Sequence, residues 1–228
     1  MKRCRIGLKI ISIFEKGYRV NSHSAVIAHT NYTRIVNKSL NMKKQILLMI
    51  PFFLITISLI GQSIEPAPTD KAVIYFTRTS SLGFAINFSY FDSTKLIGVF
   101  NGPKYIRYEC EPGAHLFWAR SENRDFIEAE VEAGKIYFIQ ANVKMGAIKA
   151  GVELQPIDPN NTNDTKKMNK IFKLLNKKPS ESFSTQELQV ETERLQDSIL
   201  RGMEKYEEDK KKGKTNSQLK KTMCYNNN

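Results

Sequence analysis

Histidine, cysteine and tryptophan are scarce in this chain of 228 residues, which holds three histidines, three cysteines and one tryptophan. Of the histidines and cysteines, only His115, Cys110 and Cys224 lie beyond Met42. Zinc sites need clustered His and Cys ligands at short spacings, and none of these three residues has such neighbours in sequence. One cysteine falls on an expected strand and the other in a polar tail, so no structural disulfide is expected, although an exported protein permits one. The sequence also lacks a nucleophile elbow, a phosphate loop, a dinucleotide fingerprint and a paired-histidine metal motif. Neither a cofactor nor catalysis follows from it. Nor is there an apolar run of the roughly 20 residues a helix needs to span a membrane; the longest, residues 46–60, carries Pro51, Thr56 and Ser58.

Positive charge is plentiful, with a formal net charge of +12, but its placement is uneven. Residues 1–41 hold eight Lys or Arg and one acid, Glu15, whereas residues 71–158 hold ten bases and ten acids. A nucleic-acid footprint requires basic residues gathered on a folded face. The neutral central segment excludes that pattern, so no nucleic-acid partner is expected. From Met42 the order is a short basic start (Lys43, Lys44), the apolar run, then Gly61-Gln62-Ser63. Those are the parts of a secretory signal peptide, assigned here to residues 42–63, with cleavage after Gly61 or Ser63. Residues 1–41 then read as upstream extension, Met42 as the start, and the mature protein as periplasmic or extracellular without a permanent membrane span.

Between residues 71 and 158, short apolar runs separated by turn signals about ten residues apart point to a sandwich or barrel. Residues 71–78 open the series. In residues 84–91, Phe84, Ile86, Phe88 and Tyr90 alternate with smaller or polar residues, as a half-buried strand requires. Asp92-Ser93-Thr94-Lys95 reads as a hairpin turn into residues 96–100, and Asn101-Gly102 as a second hairpin into residues 104–110, since both of its positions tolerate positive φ. Glu111-Pro112-Gly113 turns the chain into residues 114–121. Further on, Ile127, Ala129 and Val131 face inward while Glu128, Glu130 and Glu132 form a solvated outer ladder. Ala133-Gly134 and Met145-Gly146 bound the seventh strand, and Val152 and Leu154 point inward from the eighth. The expected fold is an all-β sandwich of about eight mostly antiparallel strands, able to fold alone, followed by two C-terminal amphipathic helices.

Those helices occupy residues 163–211. Met168, Ile171, Phe172 and Leu175 make one helical stripe, ended by Lys177-Lys178-Pro179-Ser180. Ser184 and Glu187 have capping-box spacing, opening a helix over residues 185–211 with a stripe of Leu188, Leu195, Ile199, Met203 and Tyr206, interrupted by Glu191 and Gly202. That helix either packs on the sandwich or the preceding helix, or serves association with a partner or a second copy. Residues 212–228, rich in Lys, Asn and Ser, read as a disordered tail.

Several elements taken in order, Val73-Ile74-Tyr75-Phe76 with Arg78, Leu96-Ile97-Gly98, Tyr105, Pro112-Gly113 with His115, Ala133-Gly134-Lys135 with Tyr137, Met145-Gly146 and Val152-Glu153-Leu154, resemble the bacterial domain of unknown function 2846 family. The Pro-Gly-x-His element also resembles PEGA-type surface domains. The resemblance covers residues 71–158 and implies an exported β-sandwich with no established activity. Members often carry a lipid-attachment cysteine after the signal; Gly61-Gln62-Ser63 stands there in this chain.

Three residues are candidate binding groups. Arg78 suits an acid partner or an anionic ligand, His115 a loop carbonyl or else a catalytic or metal-binding role, and Trp118 the core or a sugar ring. No catalytic residue is assigned. The function expected is a non-catalytic envelope binding or scaffolding module, acting on an unknown envelope protein or glycan, with association through residues 185–211. The alternative is a hydrolase of envelope glycan using a carboxylate pair such as Glu109 and Glu111, which would have to stand about 5–9 Å apart across a cleft.

Overall fold

A computed structural model describes residues 64–145 and 150–226. The upstream extension, the signal peptide and the glycine of the Met145-Gly146 turn lie outside the described residues. Residues 63–228 form one compact unit.

The described residues form nine strands: β1 (Ala72–Arg78), β2 (Phe88–Asp92), β3 (Lys95–Phe100), β4 (Lys104–Cys110), β5 (Gly113–Arg120), β6 (Arg124–Val131), β7 (Ile136–Met145), β8 (Ala150–Ile157) and β9 (Ser217–Leu219). Two helices, α1 (Thr165–Lys177) and α2 (Thr185–Lys211), separate the last two strands. The strands make a four-stranded sheet, order β4-β1-β7-β8, and a five-stranded sheet, order β3-β2-β5-β6-β9. Each contains one parallel pair, β1 with β7 and β6 with β9. Both sheets are therefore mixed, which corrects the expectation of mostly antiparallel pairing.

The correction has a local cause. Tight turns were expected to join neighbours in one sheet, but Asn101-Gly102, Glu111-Pro112 and Ala133-Gly134 carry the chain from one sheet to the other. Gly102 and Gly134 do adopt positive φ, at 62° and 71°, yet neither closes a hairpin. Only the β2–β3, β5–β6 and β7–β8 connections are hairpins. The second strand begins later than expected: Phe84 is 70% exposed in the loop before β2, while Phe88 and Tyr90 are fully buried.

Between the sheets lies the main core. Ile74 and Phe76 of β1, Phe88 and Tyr90 of β2, Phe117 of β5, Ile127 of β6 and Tyr137 and Ile139 of β7 meet there. Ile127, Ala129 and Val131 face inward, as do Val152 and Leu154. Strand β1 is buried at every position. A strand buried on both faces needs a second layer outside, and α1 supplies it: Met168, Ile171 and Leu174 pack against Val73, Tyr75, Phe138 and Ile157. On the opposite side α2 lays Leu195, Ile199 and Tyr206 over Phe91, Trp118 and Phe126. The architecture is thus helix, sheet, sheet, helix. Each such side chain removed from water contributes about 1.5–3 kcal/mol.

Helix α2 begins where the capping box places it, with Ser184 Oγ accepting from Glu187 N and the Glu187 carboxylate accepting from Ser184 N. Its Gly202, which interrupts the apolar stripe, lets the helix approach the sheet closely, since a Cβ there would overlap the Trp118 indole.

Residues 213–226 pack against the body, which corrects the expectation of a disordered tail. β9 pairs with β6, Leu219 and Cys224 are buried in the main core, and Tyr225 bridges to Ile136 of β7. Cys110 and Cys224 are both buried free thiols. The tail is held because Leu219 and Cys224 enter the main core, and because Glu128 accepts hydrogen bonds from Gln218 Nε2 at 2.7 Å, Asn216 Nδ2 at 3.2 Å and Tyr206 Oη at 3.0 Å. Those donors, Gln218 foremost, hold the Glu128 carboxyl below its ordinary pKa. The carboxylate ladder is consequently not simply solvated, for Glu130 is paired as well, with Lys221 at 2.9 Å.

These contacts bear on the expectation that residues 71–158 fold alone. A chain ending at Asp158 leaves Val73, Tyr75 and Phe138 uncovered on one sheet and Phe91, Trp118 and Phe126 on the other. Circular dichroism of that fragment is expected to show no cooperative melt, whereas residues 64–228 melt in one transition. Gly202→Val, which drives a branched side chain into Trp118, is expected to lower the free energy of unfolding by about 1–3 kcal/mol in a urea titration.

Candidate functional site

The three candidate binding residues occupy separate places. Arg78, at the end of β1, is fully buried. Among the described residues it meets no carboxylate. Its Nη1 donates to Ile86 O at 2.6 Å and its Nη2 to Leu82 O at 3.0 Å and Gly83 O at 2.5 Å. The guanidinium lies over the Phe88 ring, 4.2 Å from its centroid. Burial lowers its pKa from the ordinary value. Gly83, at φ 61°, lets the loop turn its carbonyls onto the cation, so Arg78 ties the β1–β2 loop to the sheet end. The acid partner or anionic ligand expected from the sequence is replaced by backbone oxygens.

Trp118 is fully buried under α2, stacked on Phe91 with centroids 4.0 Å apart, and its Nε1 donates to Ser93 O at 2.8 Å. A sugar ring has no access to it. The structure adopts the core alternative.

His115 belongs to a polar cluster joining the two sheets. Its Nδ1 lies 2.9 Å from Asp92 Oδ2 and its Nε2 2.8 Å from Glu111 O, the loop-carbonyl contact expected for it. Tyr108 Oη also donates to Asp92 Oδ2, at 3.0 Å. Lys95 Nζ stands 5.0 Å above the Tyr108 ring, and His115 stacks on Phe117. Asp92 comes from β2, His115 from β5 and Tyr108 from β4, so the cluster ties the five-stranded sheet to the four-stranded one. With acceptors on both ring nitrogens, His115 is held as an imidazolium. Its pKa is raised from 6.5 to about 10, chiefly by the bond to Asp92 and then by Cys110, against the effect of burial. Burial foremost, with the Asp92 charge, also raises the Tyr108 pKa. Sequence reasoning found His115 and missed Asp92 and Tyr108, because an aspartate opening a hairpin turn and an alternating tyrosine carry no signal of their shared partner.

The proposed glycosidase pair is engaged in surface ion pairs: Glu109 binds Arg107 and Glu111 binds Lys71. Among the described residues no cluster of three or more His, Cys, Asp or Glu is placed to hold a metal.

An open groove of about 510 Å³ lies between β3 and the first turns of α2. Leu96, Gly98 and Val99 form one wall, and Phe183, Leu188 and Val190 line the other. β3 is an edge strand with β2 as its single sheet neighbour. Phe183 fixes the groove floor, because its ring sits where a Cβ on Gly98 would be. Val190 is 61% exposed. Sequence reasoning placed α2 but not the groove, which exists only once Phe183 is seated.

Comparison with protein-family models, curated proteins and solved structures gives no match to this chain.

The His115 cluster predicts a pH dependence. A group whose folded pKa is raised contributes its stability fully below the unfolded value and loses it as pH rises through the folded value. The stability owed to His115 is therefore expected to be complete below pH 6.5 and to be lost as the pH approaches about 10. Urea titrations across that window are expected to show wild type losing its advantage over His115→Ala. A constant difference across the window would remove the imidazolium from the account.

Proposed function

We propose that the protein is an exported, non-catalytic envelope module that binds or scaffolds a partner through the groove between β3 and α2. The observation carrying this reading is an edge strand beside an open groove whose apolar walls, Leu96, Val99, Phe183, Leu188 and Val190, are interleaved with Ser184, Gln186, Glu187 and Glu191. An extended peptide segment is the occupant that fits, since it adds main-chain hydrogen bonds to a sheet edge while its alternate side chains fill pockets. Export is supported by the basic, apolar and small-residue sequence from Met42, and among the described residues no helix is long and apolar enough to cross a membrane. The absence of catalysis is supported by the commitments of the candidate residues, since Arg78, His115 and Trp118 are each engaged by backbone or core partners. Association through residues 185–211 narrows to the first turns of α2, because the rest of its apolar face covers Trp118 and Phe126.

A photo-crosslinking side chain at position 190 in the exported protein is expected to give discrete envelope-protein adducts. Val190→Asp, at an exposed position that leaves folding intact, is expected to weaken binding of the partner so identified by about tenfold, or 1.4 kcal/mol. Undiminished binding in both Val190→Asp and Val99→Asp would remove the groove from the mechanism. Turnover of an envelope glycan that disappears in Glu109→Gln would replace this reading with the hydrolase.

A further inference from the structure

A second surface, separate from the groove, gathers charge that the fold itself leaves unpaired. Arg120 closes β5 and Arg124 opens β6, directly opposite each other across the hairpin. Like charges so placed destabilise a sheet. A third arginine comes from α2: Arg201 precedes Gly202, the residue resting on Trp118, and Trp118 lies two positions before Arg120, on the same face of β5. Two strand ends and a helix thus bring three arginines to one corner of the five-stranded sheet, near enough for Arg120 and Arg201 to act on the charge of Arg124.

Among the described residues no side chain forms an ion pair with any of the three. Arg124 is partly buried, and its Nε is buried without a hydrogen-bond partner. Its pKa is lowered by burial first and then by the charges of Arg120 and Arg201. No carboxylate lies within bridging distance of any of the three among the described residues, whereas Arg107 and Arg194 are each paired with glutamates. Asp125, the neighbour of Arg124, is turned to β8 and accepts from Leu154 N at 2.7 Å. Glu122, in the turn itself, has a partner of its own. Asp197 and Glu204, one turn either side of Arg201, form no bridge with it.

We propose that Arg120, Arg124 and Arg201 form a binding site for a tetrahedral oxyanion, specifically a phosphate group. Each guanidinium is a rigid fork of donors matched to two oxygens. A planar carboxylate accepts one or two such forks, whereas a phosphate offers oxygens in several directions to donors arriving from separate elements, and its charge of about −1.5 to −2 relieves the repulsion between them. The same chemistry serves free phosphate and a phosphate monoester on a lipid headgroup.

The test is a titration of the full chain with inorganic phosphate at constant ionic strength, read by calorimetric binding and by the unfolding temperature, with sodium chloride as the reference salt. Wild type is expected to bind and to melt at a higher temperature as phosphate rises. Arg201→Gln, an exposed substitution that leaves the core untouched, is expected to weaken binding by about tenfold, comparable to the loss of one charge-assisted hydrogen-bonding fork. Arg124→Gln is expected to do the same, while Arg194→Gln, whose guanidinium is already held by Glu191, keeps the wild-type response. A phosphate response equal in all four proteins, or none in wild type beyond that of chloride, would overturn the site. Vesicles of phosphatidylcholine with and without phosphatidic acid identify the source. Arg201-dependent binding to the acidic vesicles assigns the site to a headgroup monoester, and its absence alongside Arg201-dependent phosphate binding assigns it to the free ion. Neither outcome depends on the groove between β3 and α2, which Val190→Asp tests separately.

Discussion

The seating of α2 on Trp118 is the contact on which the visible surface of this protein depends. Gly202 removes the one side chain that would keep the helix from the indole, and Ile199, Leu195 and Tyr206 complete the contact on either side. With that crossing set, the first turns of the helix stand beside β3 and form the groove, Arg201 arrives beside Arg120 and Arg124, and the helix end delivers the chain to β6, where β9 pairs. The end is anchored by Asp209, whose carboxylate accepts from Lys205 at 2.7 Å and Lys214 at 2.9 Å.

Two stacked sheets leave open sides, and the C-terminal region seals both. Along one side, residues 178–184 run beside the edge strand β4, with Glu181 N donating to Tyr105 O at 2.8 Å and Arg107 N to Ser180 Oγ at 3.0 Å, and Phe183 enters between Gly98 and Ile106. Along the other, β9 covers the edge of β6 while Leu219 and Cys224 complete the core. Exposed strand edges invite association with other chains. Here the protein covers those of β4 and β6 with its own backbone and leaves β3 beside an open groove.

Polar groups complete the joint between the sheets. The Asp92, Tyr108 and His115 cluster spans from one to the other, and Arg78 gathers the carbonyls of the loop that crosses between them. Their chemistry resembles that of a catalytic site at the level of residue type, but each acceptor and donor is directed at a structural partner. An Asp–His pair whose imidazolium is held by a carboxylate and a backbone carbonyl has no free ring nitrogen with which to accept a proton.

Local pattern determined much of this protein. The strand positions of β1 and β3 to β8 followed from short apolar runs between turn signals, the inward set Ile127, Ala129 and Val131 from period-two alternation, and α2 began and ended where Ser184, Glu187 and its apolar stripe placed it. These features are legible because each depends on residues close together in sequence. Only tertiary structure decided which strands pair, since a tight turn looks the same whether it closes a hairpin or crosses between sheets. The tail likewise read as disordered from its own composition, because the sites that order it, the edge of β6, the Glu128 carboxylate and the end of β7, lie some 80 to 90 residues away in the chain. Gly202 read as a fault in an apolar stripe for the same reason: what it accommodates, Trp118, comes from a distant strand, and burial between distant segments leaves no periodic mark on either one.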